Sequence, residues 1–392
     1  MRISNAAKNH LEQIIIPFWK NLRDDRFGGY YGYVDQNLHI DKTAEKGCIL
    51  ASRILWFFSE CALALDREDL KQEAEHAYMF IQKYCLDREN GGIFWSMTHD
   101  GKPLDTTKHT YNQAFAIYSL SSYYRLSGDQ SALQEARALF QLIEANCTDE
   151  IGYLEAFTAD WKPESNEKLS ENGVMADKTM NTLLHVFEGY SGLYAAQPDA
   201  VVESAMRRIL TIYTDKIWSP ELRRQLVFFD KEYRSIIDLY SYGHDIESSW
   251  LMDWGAGLLN DAQLKDQVSS INETMAKAVY ETAYNHHSLA NECDRGEVNE
   301  LRIWWVQAEA VLGFVNLYEK CRDAQYADAA TDIFRFIEEK LTDHRKGSEW
   351  FWCVDMFGTP IPEKPIVEPW KCPYHNGRMC LELMRKDPDI YV

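Results

Sequence analysis

NGGIFWSMTHDGKP (90–103), TYNQAFAIYSLSSYYRLSG (110–128) and QSALQEARALFQLIEANC (130–147) follow one another with little between them, and together they hold the plan of the chain. The first stretch is rich in Gly and aromatics and reads as a loop. The second is apolar or aromatic on nearly every side, as a buried helix is. The third carries its apolar residues on one face and charge on the other, as an outer helix does. SGD (127–129) between the two helices is a turn signal.

The same unit recurs in both directions. Loops of this kind are FGGYYGYVDQN (27–37) and EIGYLEAFTADW (150–161). More degenerate copies are ELRRQLVFFDKEY (221–233), LANECDRGEVNE (289–300) and KGSEWFWCVDMFGTP (346–360). Their starts lie roughly 60 to 70 residues apart, and a fixed period of this size is the mark of a repeat architecture. An apolar helix follows each loop, over 47–65, 110–128, 178–196, 243–259, 302–320 and 375–384. An amphipathic partner follows each of the first five, as in AQYADAATDIFRFIEEKL (324–341), and DRED (66–69) is a further turn. NAAKNHLEQIIIPFW (5–19) supplies the sixth partner.

Six inner and six outer helices predict an all-α, closed (α/α)₆ barrel with short strands in its loops. A length of 392 residues would by itself suggest two or three domains; the repeat overrides this and predicts one domain over 1–392. The rival is an open solenoid of helical pairs, but six units favour closure, because a ring leaves no apolar end to cap.

The totals narrow the function. A net charge of −20 argues against nucleic acid and anionic membrane as partners, since neutralising phosphates takes a basic patch. Twelve Trp, 22 Tyr and 17 Phe are enough to fill a core and also to provide flat platforms on which sugars stack. No run of about 18 apolar residues occurs, and the first residues show no apolar stretch of signal-peptide length. Nine cysteines without a CxxC pair are expected to be reduced core thiols of a cytoplasmic protein.

Because loops precede inner helices, one rim of the barrel gathers the loops and the inner-helix N-termini. Polar and aromatic residues near those starts are the site candidates: Arg53; His109, Tyr111 and Asn112; Asn181 and His185; His244, Glu247 and Trp250; Trp304, Trp305 and Glu309; Trp370, His375 and Arg378. His244 and Glu247 stand at i,i+3 on one face, a spacing that lets the carboxylate hold one ring nitrogen and free the other. His375 opens a helix after Pro373, where the helix dipole favours the neutral ring. Asn181 and His185 share a face at i,i+4, as do Trp305 and Glu309. Trp304 and Trp305 are adjacent, so one of them is expected to face the cavity. Arg53 lies among apolar neighbours and needs an anion or a carbonyl to bind. A three-histidine zinc site drawn from His109, His185, His244 and His375 is conceivable across helices, but no metal-ligand spacing stands out, and no GxGxxG, Walker A or serine-elbow pattern is present.

SYGHDIESSWLM (241–252), RIWWVQAEA (302–310) and EPWKCPYHNGRMC (368–380) resemble the motifs of the N-acylglucosamine 2-epimerase superfamily. The resemblance extends over nearly the whole chain, through IIPFWKNLRDDRFGGYYGYVD (15–35), KGCILASRILWFFS (46–59), KHTYNQAFAIYSLSSYYR (108–125) and SENGVMADKTMNTLLHVFE (170–188). It is greatest to members that act on β-1,4-linked disaccharides. The resemblance implies an (α/α)₆ barrel that inverts C2 of the reducing-end glucose of cellobiose or lactose with no metal or nucleotide cofactor. It implies that His244 and His375 are the acid/base pair, that His185 assists at the ring-opening or O1 side, and that Arg53 binds the oxygens where enediolate charge develops. Tyr111, Asn181, Glu247, Trp305, Glu309 and Trp370 match substrate-contacting or supporting positions, and Asp177 matches an acidic residue near ring opening. The chain is expected to act as a monomer. The alternatives are a monosaccharide 2-epimerase or aldose–ketose isomerase using the same pair, an inverting glycosidase built on Glu247 and Glu309, and a non-catalytic sugar-binding protein.

Overall fold

The computed structural model describes residues 1–392. Twelve helices alternate between two layers. The inner ones are Cys48–Leu65, Thr110–Ser127, Met180–Ala196, Tyr242–Leu258, Trp304–Cys321 and Tyr374–Lys386. The outer ones run over 3–21, 68–85, Gln130–Asn146, 200–217, Ala262–Ala283 and 324–341. Each inner helix packs on the next, and the sixth packs on both the fifth and the first. The ring is therefore closed, and the fold is an (α/α)₆ barrel, not an open solenoid. The chain ends meet at the closure, where the Val392 N–H donates to the Met1 carbonyl at 2.9 Å.

Inner helices are buried on nearly every side, whereas outer ones bury a single stripe. Both expected turns form: Asp66 and Gly128 take left-handed backbone at φ 48° and 73° to end the first two inner helices. Asp129 then caps the outer helix by accepting from Ser131 N–H at 2.8 Å. Four outer helices contain a five-residue π turn, and three of these close the helix, at Cys85, Ile217 and Leu341. Cys48–Leu65 has the length and hydropathy of a membrane span, but 78% of it is buried in the barrel.

The repeat has a polar signature as well as an apolar one. Two residues before each of the first three inner helices stands a buried lysine, paired with an aspartate of the preceding loop: Lys46 with Asp24 at 2.6 Å, Lys108 with Asp87 at 2.8 Å, and Lys178 with Asp149. Each aspartate also accepts two backbone N–H groups of its own turn, such as Arg26 and Phe27 on Asp24. A buried ion pair is stable only when its remaining hydrogen bonds are met, as they are here. The fifth repeat carries buried Arg302 at the same position, paired with Glu300 at 2.8 Å.

Paired strands tie each loop to its neighbour and all sit at one end of the barrel. The largest group pairs Leu239–Ser241 with the hairpin of Glu292–Asp294 and Glu297–Asn299. Its Arg295–Gly296 turn has positive φ at both residues, the geometry that matches strand twist.

Candidate active site

A cavity of about 380 Å³ opens at the loop end. Arg53, Tyr111, Asn181, His185, His244, Glu247, Trp305, Trp370 and His375 all line it, as expected from the sequence. Asp177 does not line it: its side chain is exposed beside the Lys178–Thr179 strand, whose pairing aims it outward. Glu171 and Glu292 are the acidic residues at the mouth instead. Glu309 lies behind the lining and is wholly buried. Trp304 and Trp305 both reach the cavity; Trp304 does so while packing on Trp352 at 5.1 Å between ring centroids.

Three histidines meet here on different terms. His375 Nδ1 lies 2.7 Å from Glu309 Oε1, and His185 Nδ1 lies 2.8 Å from Glu188 Oε2. A carboxylate only accepts, so each ring carries its proton on Nδ1 and presents a bare Nε2, the arrangement of a general base. The spacing of His244 and Glu247 predicts a bond between them that does not form. His244 Nδ1 instead meets Ser241 Oγ at 2.7 Å, because Glu247 is drawn to Arg378 of the sixth inner helix. The i,i+3 rule therefore applies to His185 and Glu188, not to His244 and Glu247. The ring of Trp305 lies against both His244 and His375, at 4.7 and 5.5 Å between centroids, so one indole touches both members of the pair. Gly243 makes this packing possible: a Cβ there would sit 2.5 Å from the Trp305 ring.

Arg378 joins the carboxylates. Its guanidinium donates to Glu188 at 2.5 Å, to Glu309 at 2.7 Å and to Glu247. The Trp250 indole N–H donates to the other oxygen of Glu309 at 2.9 Å. Ligand atoms of Glu247, Glu309 and His375 come within 4.8 Å of one another, a spacing that would suit a metal ion; the guanidinium already supplies a cation there. Of the histidines from which a zinc site is conceivable, His185, His244 and His375 are bonded through Nδ1 to Glu188, Ser241 and Glu309, and His109 packs on Trp95. Glu247 and Glu309 share one guanidinium nitrogen, and Glu309 is saturated by His375, Arg378 and Trp250. They do not form the carboxylate pair across a cleft that an inverting glycosidase needs, about 6.5–9.5 Å apart.

Burial sets the protonation states. It pushes His244 down to about 3, with His185 adding to the effect and Glu309 opposing it. It also pushes His375 well below the usual histidine range, helped by Arg378 and Arg53, and it lowers His185 against the pull of Glu188. All three rings are neutral at pH 7. Burial, with Glu309 nearby, lifts Glu247 to about 8 against the pull of Arg378, so Glu247 is a neutral acid able to donate.

Arg53 is fixed by the Tyr111 hydroxyl at 2.8 Å and the Trp370 carbonyl at 3.3 Å, with its guanidinium over the Phe115 ring at 4.2 Å. Four lining residues keep a buried polar atom without a partner: Arg53 Nε, Asn181 Oδ1, Glu247 Oε2 and Trp304 Nε1. Each such atom costs about 1–3 kcal/mol if left unmet. Three donors and an acceptor among the tryptophans 304, 305, 352 and 370 describe a site for a ligand with many hydroxyls and flat apolar faces. Sequence reasoning missed Glu188, Ser241 and Trp352. The His-x-x-Glu spacing of 185 and 188 was the available signal for the first.

The family model for N-acylglucosamine 2-epimerase (GlcNAc 2-epimerase) matches residues 29–376. The chain is 50% identical to a cellobiose 2-epimerase of Eubacterium cellulosolvens over 99% of both chains. It superposes on the crystal structure of a sugar epimerase from a ruminal bacterium with a TM-score of 0.98 at 46% identity, covering 99% of this chain and 100% of that one. On the cellobiose 2-epimerase of Bacillus thermoamylovorans B4167 the TM-score is 0.94 at 41% identity, covering 98% and 99%. The chain belongs to the N-acylglucosamine 2-epimerase family, and is by that membership a carbohydrate epimerase, an isomerase.

Proposed function

We propose that the chain inverts C2 of the reducing-end glucose of β-1,4-linked disaccharides, turning cellobiose into glucosyl-mannose and lactose into epilactose. The observation that carries this reading is the pair of neutral imidazoles, His244 and His375, both packed on Trp305 and both lining a cavity rich in tryptophans. The relatives named for cellobiose support the disaccharide over a monosaccharide.

A C2–H bond becomes acidic only beside a carbonyl, so the sugar ring opens first. His185, with its bare Nε2 and its Tyr111 neighbour at 5.0 Å, is the group for O1. One imidazole of the pair then takes the C2 proton and the other returns a proton to the opposite face. Positioned proton transfer of this kind contributes about 10²–10⁴-fold each. The larger demand is the negative charge of the enediolate, which Arg53 and the converging N-termini of the inner helices offset in a water-poor site. Glu247, neutral and with Oε2 free, donates to a sugar oxygen without adding negative charge. The reading calls on no metal or nucleotide.

The direct test is one chromatogram each for incubations with cellobiose, mannose and N-acetylglucosamine. Glucosyl-mannose from cellobiose alone is the expected result. Conversion of a monosaccharide would favour the monosaccharide epimerase or isomerase, and free glucose from cellobiose would mean hydrolysis.

A further inference from the structure

Ser241 occupies the N-cap position of the fourth inner helix, with extended backbone at φ −85°, ψ 94°. Serine is among the preferred caps because its oxygen accepts a backbone N–H of the first turn. Thr179 does this at the same position of the third inner helix, accepting from Thr182 N–H at 3.0 Å. Ser241 makes no capping bond; its hydroxyl is committed to His244 Nδ1, three residues on, at 2.7 Å. That nitrogen is its one hydrogen-bond partner. With that hydroxyl as the donor, His244 carries its own proton on Nε2, the opposite tautomer to His185 and His375.

This creates a difficulty that the hydroxyl also resolves. No carboxylate touches His244. Its own helix offers Glu247, which is engaged with Arg378, and Asp245, which is turned to Gln225. The third inner helix presents His185. The fifth presents Glu309, saturated by His375, Arg378 and Trp250, and behind Trp305 the sixth presents His375 and Arg378. Nothing adjacent supports an imidazolium at His244, yet a neutral ring cannot give up its one proton unless it gains another.

We infer that Ser241 is a positioning and relay residue, through which a proton enters His244 Nδ1 as the Nε2 proton leaves for C2. Ser241 lines the cavity, so its oxygen can be reprotonated by a water or a sugar hydroxyl there. The N–H bond at Nε2 breaks as the C2–H bond forms. The Ser241 O–H proton moves to Nδ1, and the water or sugar hydroxyl restores the serine. The proton taken earlier from C2 stays on His375 beside Glu309 until it returns to that donor. His244 is neutral before and after, with its proton moved from Nε2 to Nδ1; before the next turnover the Nδ1 proton leaves through Ser241 to water while a water gives one to Nε2, which restores the resting tautomer. In the reverse direction the same protons retrace their path.

The inference rests on the epimerase reading, and its tests separate from it. Nitrogen-15 spectra of the ligand-free chain should show Nδ1–H at His185 and His375 but Nε2–H at His244. Ser241→Ala should lower kcat on cellobiose by about tenfold or more, within the range of one positioned proton transfer, with KM and melting temperature near wild type, because no cap is lost. Ser241→Thr should restore most of the rate. The dependence of kcat on the deuterium fraction of the solvent should be curved in the wild type, with several protons in flight, and straight in Ser241→Ala. Nδ1–H at His244, or wild-type kcat in Ser241→Ala, overturns the relay. A wild-type chain that leaves cellobiose unchanged overturns the epimerase reading instead.

Discussion

His375→Ala is expected to remove C2 epimerisation, lowering kcat/KM on cellobiose by about 10²–10⁴-fold, with a folded barrel left behind. The loss is chemical because the ring is held ready for proton transfer, with Glu309 on Nδ1 at 2.7 Å and Nε2 left for the sugar. The fold tolerates the change because Arg378 and Trp250 still hold Glu309 after the ring is gone. His244→Ala should fail to the same degree, since inversion needs an acid or base on each face of C2. The two losses should not add in the double variant, because either one alone already breaks the transfer. Product assay by chromatography with thermal melts on the same samples checks this. Wild-type turnover in either single variant would remove that histidine from the pair.

Arg378→Met is expected to have the largest effect on stability. The guanidinium is 1% exposed and binds Glu188, Glu247 and Glu309 together. Removing one partner of a buried ionic cluster costs about 3–5 kcal/mol, because the charges left behind are neither solvated nor paired. The effect should depend on pH with a definite sign. Burial pushes Glu188 upward in the wild type, but Arg378 and His185 outweigh it and hold the carboxyl below its usual range. Without Arg378 the same burial raises the Glu188 carboxyl above its unfolded value. Stability of the variant then falls as pH rises through and beyond the ordinary glutamate range. The gap between wild type and variant should be smallest near pH 5 and largest near pH 8, read as the urea midpoint at each pH. A gap that does not change with pH would show that the cluster is not ionised as described.

The architecture was legible because it is written six times. A single Gly-rich loop with one apolar helix says little, but repetition at a near-constant spacing leaves few folds. The site was legible for a different reason. Residues such as Arg53, His185 and His375 are polar side chains on otherwise apolar inner helices, and burial of that kind demands a partner or a ligand. The pairing of those side chains was not legible. Nothing local tells Glu247 to turn to Arg378, 131 positions on, and leave His244 to Ser241. Asp177 stands in a loop, where a shift of a few residues moves a side chain from cavity to solvent. Trp352 sits in one of the more degenerate loop repeats, outside the inner helices on which the other candidates stand out.

The central claim is that a proton leaves one face of C2 and another arrives on the opposite face. Incubation with cellobiose in D₂O, followed by proton spectra of the recovered glucosyl-mannose, reads this directly. The C2 signal of the mannose unit should be lost to deuterium in step with product formation. Glucosyl-mannose that keeps its original C2 hydrogen would contradict the account.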